Sequence, residues 1–179
     1  MILKILIAVA AILVVLVIVI ATRPTEFRVQ RSATIAAPAP VVFAQVNDFH
    51  KWDAWSPYVK RDPGMKKTFE GAPAGVGAIY TWSGNHEVGE GRTTIIESRP
   101  SELIRIKLEF VRPFASTSTA EFTFKPEGER TAVTWALDGR NGFPAKAMGL
   151  VMNMDRMIGD DFEKGLAQIK AIAEATPRQ

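Results

Sequence analysis

The sequence predicts an α+β fold in which a curved antiparallel sheet of about seven strands wraps around one long C-terminal helix. Two short helices follow the first strand, and one N-terminal apolar helix precedes the whole. Three observations carry this reading. Segments between Phe27 and Gly139 alternate apolar and polar residues with period two. From Phe143 to Ala175 the spacing becomes helical. Ahead of both, Ile5 to Ala21 is an apolar run without a charge. Consecutive strands followed by a helix imply a helix packed on the apolar face of an antiparallel sheet.

The N-terminal run, "ILIAVAAILVVLVIVIA", has the composition of a membrane span and sits at the short end of the length that a bilayer core requires. Residues 1–22 are expected to form a transmembrane or signal-anchor helix. A linker over 23–26, a domain over 27–175 and a tail over 176–179 follow. Val19 and Ala21 weakly resemble a cleavage site, so removal stands as the alternative to a retained anchor. Lys4 lies before the span, and Arg23, Arg28 and Arg31 lie after it. Charge counting favours a cytoplasmic domain. A folded domain behind a signal anchor is more often exported, so the side of the membrane is left open.

The chain has no cysteine, which excludes disulfides, thiolate nucleophiles and Cys-ligated zinc. A domain of about 150 residues can bury a sufficient core without crosslinks. The net charge of +3 is small and the basic residues are scattered. That pattern is a solvated mixed-charge surface rather than a nucleic-acid footprint.

Taken in order, "FRVQRSATI" (27–35) reads as the first strand. Pro38 or Pro40 opens a helix whose apolar face is Val42, Phe43 and Val46. "HKWDAWSPYV" is a second short helix or turn, with Trp52 and Trp55 on one side and Pro57 stopping it. These two tryptophans either gate a pocket or lock the short helices to the sheet. "MKKTFEG", "GAIYTWSG" and "GRTTIIESRP" are strands. In "ELIRIKLEF", Ile104, Ile106, Leu108 and Phe110 point one way and Arg105, Lys107 and Glu109 the other. "STAEFTFKPEGE" turns Ala120, Phe122 and Phe124 inward, and "TAVTWALDG" does so for Val133, Trp135 and Leu137. "KPEGER" between them is a hairpin turn. "RPFAST" is a strand connection, or a loop that offers Phe114 to a lipid or membrane. In the last segment Met148, Val151, Met152, Ile158, Phe162, Leu166 and Ile169 form one stripe of a helix about 30 residues long, opposite Lys146, Arg156, Asp160 and Lys164. Met148, Met152 and Met154 are either an adaptable ligand-facing surface or ordinary packing.

The stretch "GVGAIYTWSGNHEVGEG" (75–91) separates three kinds of chemistry. A phosphate cradle needs a helix after its glycines and a Lys beside them; here a strand follows and no Lys is placed. A metal site needs several ligands, and His50 and His86 are the only histidines. A pocket wall fits better. Gly71, Gly75 and Gly77 turn the chain into a strand whose Ala78, Tyr80 and Trp82 share one face. Gly84-Asn85 makes a tight hairpin, and Gly89 and Gly91 let the next strand bend. Tyr80 and Trp82 would give that wall polar handles. Filling a plain core is the alternative use of the same rings.

The order of elements, with "TIAAPAPVVFAQVNDFHKWDAWSPY", the glycine-rich stretch and "MDRMIGDDFEKGL", resembles the START/SRPBCC superfamily, the helix-grip or birch-pollen-allergen-like fold, in its bacterial polyketide cyclase/dehydrase-type members. The resemblance spans about Phe27 to Ala175. It implies a cavity between sheet and C-terminal helix that takes lipids, polyketides or other apolar molecules; some members are enzymes and some are protein-interaction modules.

The expected ligand-binding residues are Tyr80, Trp82, Ile106, Leu108, Phe110, Phe122, Phe124, Trp135, Met148, Met152 and Asp155. Asp155 lies about 20° from the helical direction of Phe162, so it should face the sheet and find a donor among Tyr80, Trp82, Asn85, His86 or a ligand. The leading reading is a membrane-tethered binding or carrier protein for a small hydrophobic or amphipathic ligand. The second is a cyclase- or dehydratase-like enzyme with Asp155, His86 and Tyr80 as its acid–base candidates. The third is an interaction or stress-response module. No cofactor, metal or nucleic-acid partner is expected; the membrane is a partner through the N-terminal helix, and the oligomeric state is left open.

Overall fold

The structure is a computed structural model and describes residues 1–176. Helix α1 (Ile2–Thr22) leads into strand β1 (Glu26–Ile35). Helices α2 (Ala39–Val46), α3 (Trp52–Trp55) and α4 (Pro57–Arg61) follow, with a 3-10 turn before α3. Six strands come next: β2 (Lys66–Gly71), β3 (Ala78–Ser83), β4 (Glu90–Arg99), β5 (Leu103–Arg112), β6 (Ser116–Glu127) and β7 (Arg130–Arg140). Helices α5 (Phe143–Met148) and α6 (Met154–Ala175) complete the chain. The seven strands form one antiparallel sheet in the order β1-β7-β6-β5-β4-β3-β2, so the first strand closes against the last.

Period two sorts each strand between a solvated face and a concave face. On β7, Val133, Trp135 and Leu137 are buried, and they stand beside Phe124, Phe122 and Ala120 of β6. Ile104 and Ile106 of β5 continue the same floor. Helix α6 runs along β1 above it. Arg31 of β1 reaches Glu163 at 3.0 Å, Lys170 donates to the Thr34 carbonyl at 2.9 Å, and Glu174 accepts the Ala36 amide at 2.7 Å. Phe162, Leu166, Ile169 and Ala173 point from α6 into the core. The α2 face of Val42, Phe43 and Val46 is buried, with Phe43 edge-on to Phe124 at 5.4 Å.

Three local expectations are corrected. The C-terminal segment is two helices: α5 ends at Gly149, and Asn153 starts α6 by accepting the Arg156 amide at 3.0 Å. An Asn cap satisfies a first-turn amide and so favours a new start over continuation. Pro57 stops α3 but also opens α4, because proline pushes Ser56 extended and suits the first helical position. Finally, Gly84-Asn85 is not a two-residue turn. Residues 84–89 form a loop in which Asn85 Oδ1 accepts the Glu87 amide at 2.8 Å and the Val88 amide at 3.3 Å. Gly71, Gly75 and Gly77 do carry the turn into β3, all with positive φ.

Helix α1 exposes its apolar side chains except Ile20. Its last turn touches α5, where Lys146 Nζ donates to the Ala21 carbonyl at 3.4 Å. Helix α1 is thus joined to the domain at its last turn as well as through the 23–25 linker.

Candidate functional site

The centre of the concave face is filled by aromatic rings. Trp135 stacks on Phe162 with centroids 4.0 Å apart and on Phe122 at 4.7 Å. Trp55 meets Trp135 edge-on at 5.7 Å. Phe124 and Ile106 are likewise buried there. These members of the expected ligand wall are packed against protein. Among the described residues, the indole Nε1 of Trp135 is a buried donor with no hydrogen-bond partner.

Towards the α1 end of the sheet the face opens. Reading straight across the strand register, Phe27, Gly139, Ser118, Leu108, Thr93, Tyr80 and Phe69 form one row. Gly139, Ser118 and Thr93 are small, and Leu108 stands between Ser118 and Thr93 at the centre of the row. The outer members are apolar rings. Phe27, Leu108 and Ser118 are only half-buried, as is Phe110 in the next row. These half-buried positions make a shallow trough in the concave face, with Leu108 among the small residues of its floor and rings along its walls. Gly139 is essential to this shape: a Cβ there would lie 2.6 Å from both the Phe27 ring and Ser118 Oγ. Gly91 plays the matching part on the other wall, where a Cβ would fall 2.5 Å from the Trp82 ring.

The wall on the β3 side is a ladder of rings. His50 stacks on Phe69 at 4.3 Å, Phe69 on Tyr80 at 5.4 Å and Tyr80 on Trp82 at 6.0 Å. Phe110 closes it edge-on to Trp82 at 5.5 Å. Beside the ladder's β2 end is a cavity of about 100 Å³ lined by Phe49, His50, Phe69, Gly71, Pro73 and Ile79, among others. Burial, and then the nearby Asp53 charge, push the Tyr80 hydroxyl well above its ordinary range. Tyr80 therefore stays neutral at physiological pH. The Trp82 indole donates to the Val88 carbonyl at 3.0 Å, so this handle is already taken by the loop.

The structure does not gather the acid–base candidates. Tyr80 lies in the ladder, His86 is exposed on the 84–89 loop, and Asp155 is on α6 above β1, the opposite edge of the sheet. The helical phase does turn Asp155 towards the sheet, but its partner is Arg31, at 3.0 Å, and the carboxylate is 61% exposed. The first turn of α6 is largely exposed and burial begins only at Gly159, which helical phase alone could not reveal. Asp155, and then Glu163, hold the Arg31 guanidinium above its ordinary pKa. Met148 and Met152 are exposed as well, because they precede the Asn153 start and so do not share the α6 stripe.

Sequence reasoning missed His50, Phe69, Phe27, Gly139 and Ser118 as parts of one site. Phe27 and Phe69 lie in strands whose alternation was readable, and their phase was the available signal. Gly139 and Ser118 gave none, since smallness matters only beside specific neighbours. Also unforeseen is Asp161, buried on α6 and paired with Arg61.

A family profile described as polyketide cyclase/dehydrase and lipid transport matches residues 26–174. No curated protein sequence matches the chain. Among solved structures, a protein from Thermobifida fusca is 24% identical with a TM-score of 0.61, covering 85% of this chain and 97% of that one. A protein from Mesorhizobium loti is 15% identical with a TM-score of 0.62, covering 85% and 100%. The di-domain ARO/CYC StfQ from the steffimycin biosynthetic pathway is 13% identical with a TM-score of 0.61; the match covers 84% of this chain and 51% of that chain. At these identities the likeness is one of fold.

Proposed function

This chain belongs to the polyketide cyclase/dehydrase and lipid-transport family, and from that premise we propose that it is a membrane-tethered binding or carrier protein for a small hydrophobic or amphipathic molecule. The observation that carries the reading is the half-buried trough between Phe27 and the Tyr80–Trp82 wall, with Gly139, Ser118 and Thr93 on its floor. Apolar walls contribute about 25 cal/mol for each Å² of ligand surface they remove from water. The Ser118 hydroxyl supplies a polar group that can orient an amphipathic ligand. Helix α1, 21 residues long, holds the trough beside a reservoir of apolar molecules. Acid–base catalysis is the weaker reading, because Tyr80, His86 and Asp155 sit on separate parts of the fold and general acid–base work needs them within hydrogen-bond reach of one substrate.

The test is photolabelling of the full chain in vesicles with a diazirine fatty acid, followed by peptide mapping. Adducts are expected on β3 and β5 around Trp82, Leu108 and Phe110. Ser118→Trp, which fills the open floor, should remove them while Asp155→Asn leaves them unchanged. Adducts confined to α1, or indifferent to Ser118→Trp, would reject the binding role.

A further inference from the structure

The end of the sheet from which α1 departs is unusual in what it exposes. At the β5–β6 tip stand Val111 and Phe114, the latter 57% exposed. In the α5–α6 corner stand Phe143, Val151 and Met152, with Val151 85% exposed. The two groups belong to the same end: Glu26 at the start of β1 pairs with Arg140 at the end of β7, and Ser116 at the start of β6 pairs with Phe110 near the end of β5. Arg23, Arg140 and Lys146 border this end, and among the described residues none of the three has a carboxylate within salt-bridge distance. Exposed apolar side chains beside unpaired basic ones are suited to a membrane interface, where apolar groups enter the acyl boundary and cations meet headgroups.

We propose that this end of the domain, the β5–β6 tip together with the α5–α6 corner, docks on the surface of the bilayer that holds α1, with the trough opening towards the lipid. The proposal rests on the reading of α1 as a membrane span. Geometry then leaves little freedom. At 1.5 Å per residue, α1 is roughly 30 Å long, about the thickness of the hydrocarbon core, so it has no spare length to lift the domain. Only Arg23, Pro24 and Thr25 separate α1 from β1, a reach of about 10 Å when fully extended. The Asn141 amide donates to the Thr25 carbonyl at 2.6 Å, which ties even that linker to the exit of β7. Lys146 bonds the last turn of α1 and fixes α5 at the depth where the span leaves the hydrocarbon. Phe143, in the same short helix, is thereby carried to the interface, with Val151 and Met152 following in the connection to α6. Phe27, Leu108 and Phe110, which edge the trough, lie in the concave-face rows nearest this end.

The absence of native cysteine makes the test direct. Single-cysteine variants of the full chain, Val9→Cys, Phe114→Cys, Val151→Cys and Glu127→Cys, are labelled with an environment-sensitive fluorophore. They are reconstituted in phosphatidylcholine–phosphatidylglycerol vesicles containing a nitroxide-bearing lipid. Glu127 lies at the opposite end of the sheet and serves as the solvent reference. Quenching at positions 9, 114 and 151 severalfold above that at 127 is the expected result. Quenching at 9, with 114 or 151 behaving like 127, overturns the docking face while leaving the tether intact. No quenching at 9 removes the span itself, and the docking proposal falls with it.

Discussion

Asp155 shows how much one residue's role depends on where its helix ends. Its direction towards the sheet follows from phase, but its partner, Arg31, is a half-buried cation on β1 that also holds Glu163 and lies against Gly159. A solvated pair of this kind contributes little to stability. Asp155→Asn is therefore expected to leave the thermal midpoint almost unchanged, measured by circular dichroism, and to leave apolar photolabelling intact. Loss of labelling in folded Asp155→Asn protein would restore it as a ligand anchor. The two tyrosines make a sharper statement about pH. Burial raises both Tyr58 and Tyr80, with Asp161 adding to the first and Asp53 to the second. A raised folded pKa means the native state keeps its proton more tightly than the unfolded chain does. The corresponding stability is fully present below about pH 10, the unfolded value, and is lost as pH rises above it. In an alkaline titration, tyrosinate absorbance should thus appear together with loss of native circular dichroism. An absorbance step near pH 10 in still-native protein would show that the hydroxyls are not held in this way.

At the scale of elements, the break between α5 and α6 is set by a few residues. Asn153 offers its side chain to the Arg156 amide, and replacing such a cap with alanine costs about 1 kcal/mol. Asn153→Ala should lower stability by roughly that amount in denaturant unfolding; no change would mean that tertiary contacts alone position the start of α6. Farther along the helix, Phe162 is the ring on which Trp135 stacks and is 2% exposed. Phe162→Ala would leave a cavity in the middle of the aromatic plug, at a cost of about 3–5 kcal/mol. A loss below about 1 kcal/mol would imply that the site collapses freely. The same plug explains why Phe122, Phe124 and Trp135, all on the concave face, are packed by protein while Leu108 and Phe110 on neighbouring rows remain partly open. Helix α6 stays close to β1, along Arg31 to Ala36.

For the molecule as a whole, the division between α1 and the rest is the first property to test. Only Ile20 of α1 is buried, and the helix's last turn accepts one hydrogen bond from Lys146 of the short α5. Burial of one side chain contributes about 1.5–3 kcal/mol at most, small beside a core of about thirty buried apolar residues. A chain that starts at Arg23 should accordingly be recovered outside the membrane fraction, with cooperative unfolding and the strand-rich circular dichroism of the full chain. An unfolded fragment would show that α1 is part of the fold rather than its anchor. If the docking face is also correct, this fragment should retain weak affinity for anionic vesicles, because Phe114, Val151 and the basic border remain.

The sequence by itself determined the seven strands, their order and their faces, and the apolar N-terminal helix, but not the α5–α6 break that takes Met148 and Met152 off the buried stripe. Alternation in "ELIRIKLEF" and the apolar run before Arg23 are local patterns, and local patterns need no knowledge of distant partners. It also identified Tyr80 and Trp82 as concave-face rings, since period two assigns a face to every residue of a strand. Only the tertiary structure decided what those faces meet. Strand β1 pairs with β7 across more than a hundred residues of sequence, and that register alone brings Phe27, Gly139 and Ser118 into one row. The Val88 carbonyl takes the Trp82 indole, Arg31 takes Asp155, and among the described residues Trp135 is left with an unpartnered donor. Each of these outcomes depends on which groups arrive within about 3 Å of one another, and hydrogen bonds and ring contacts act only at that range. Periodicity determines direction but carries no distance, which is why the sheet and the long helix could be read from the chain while the trough, the plug and the ion pair could not.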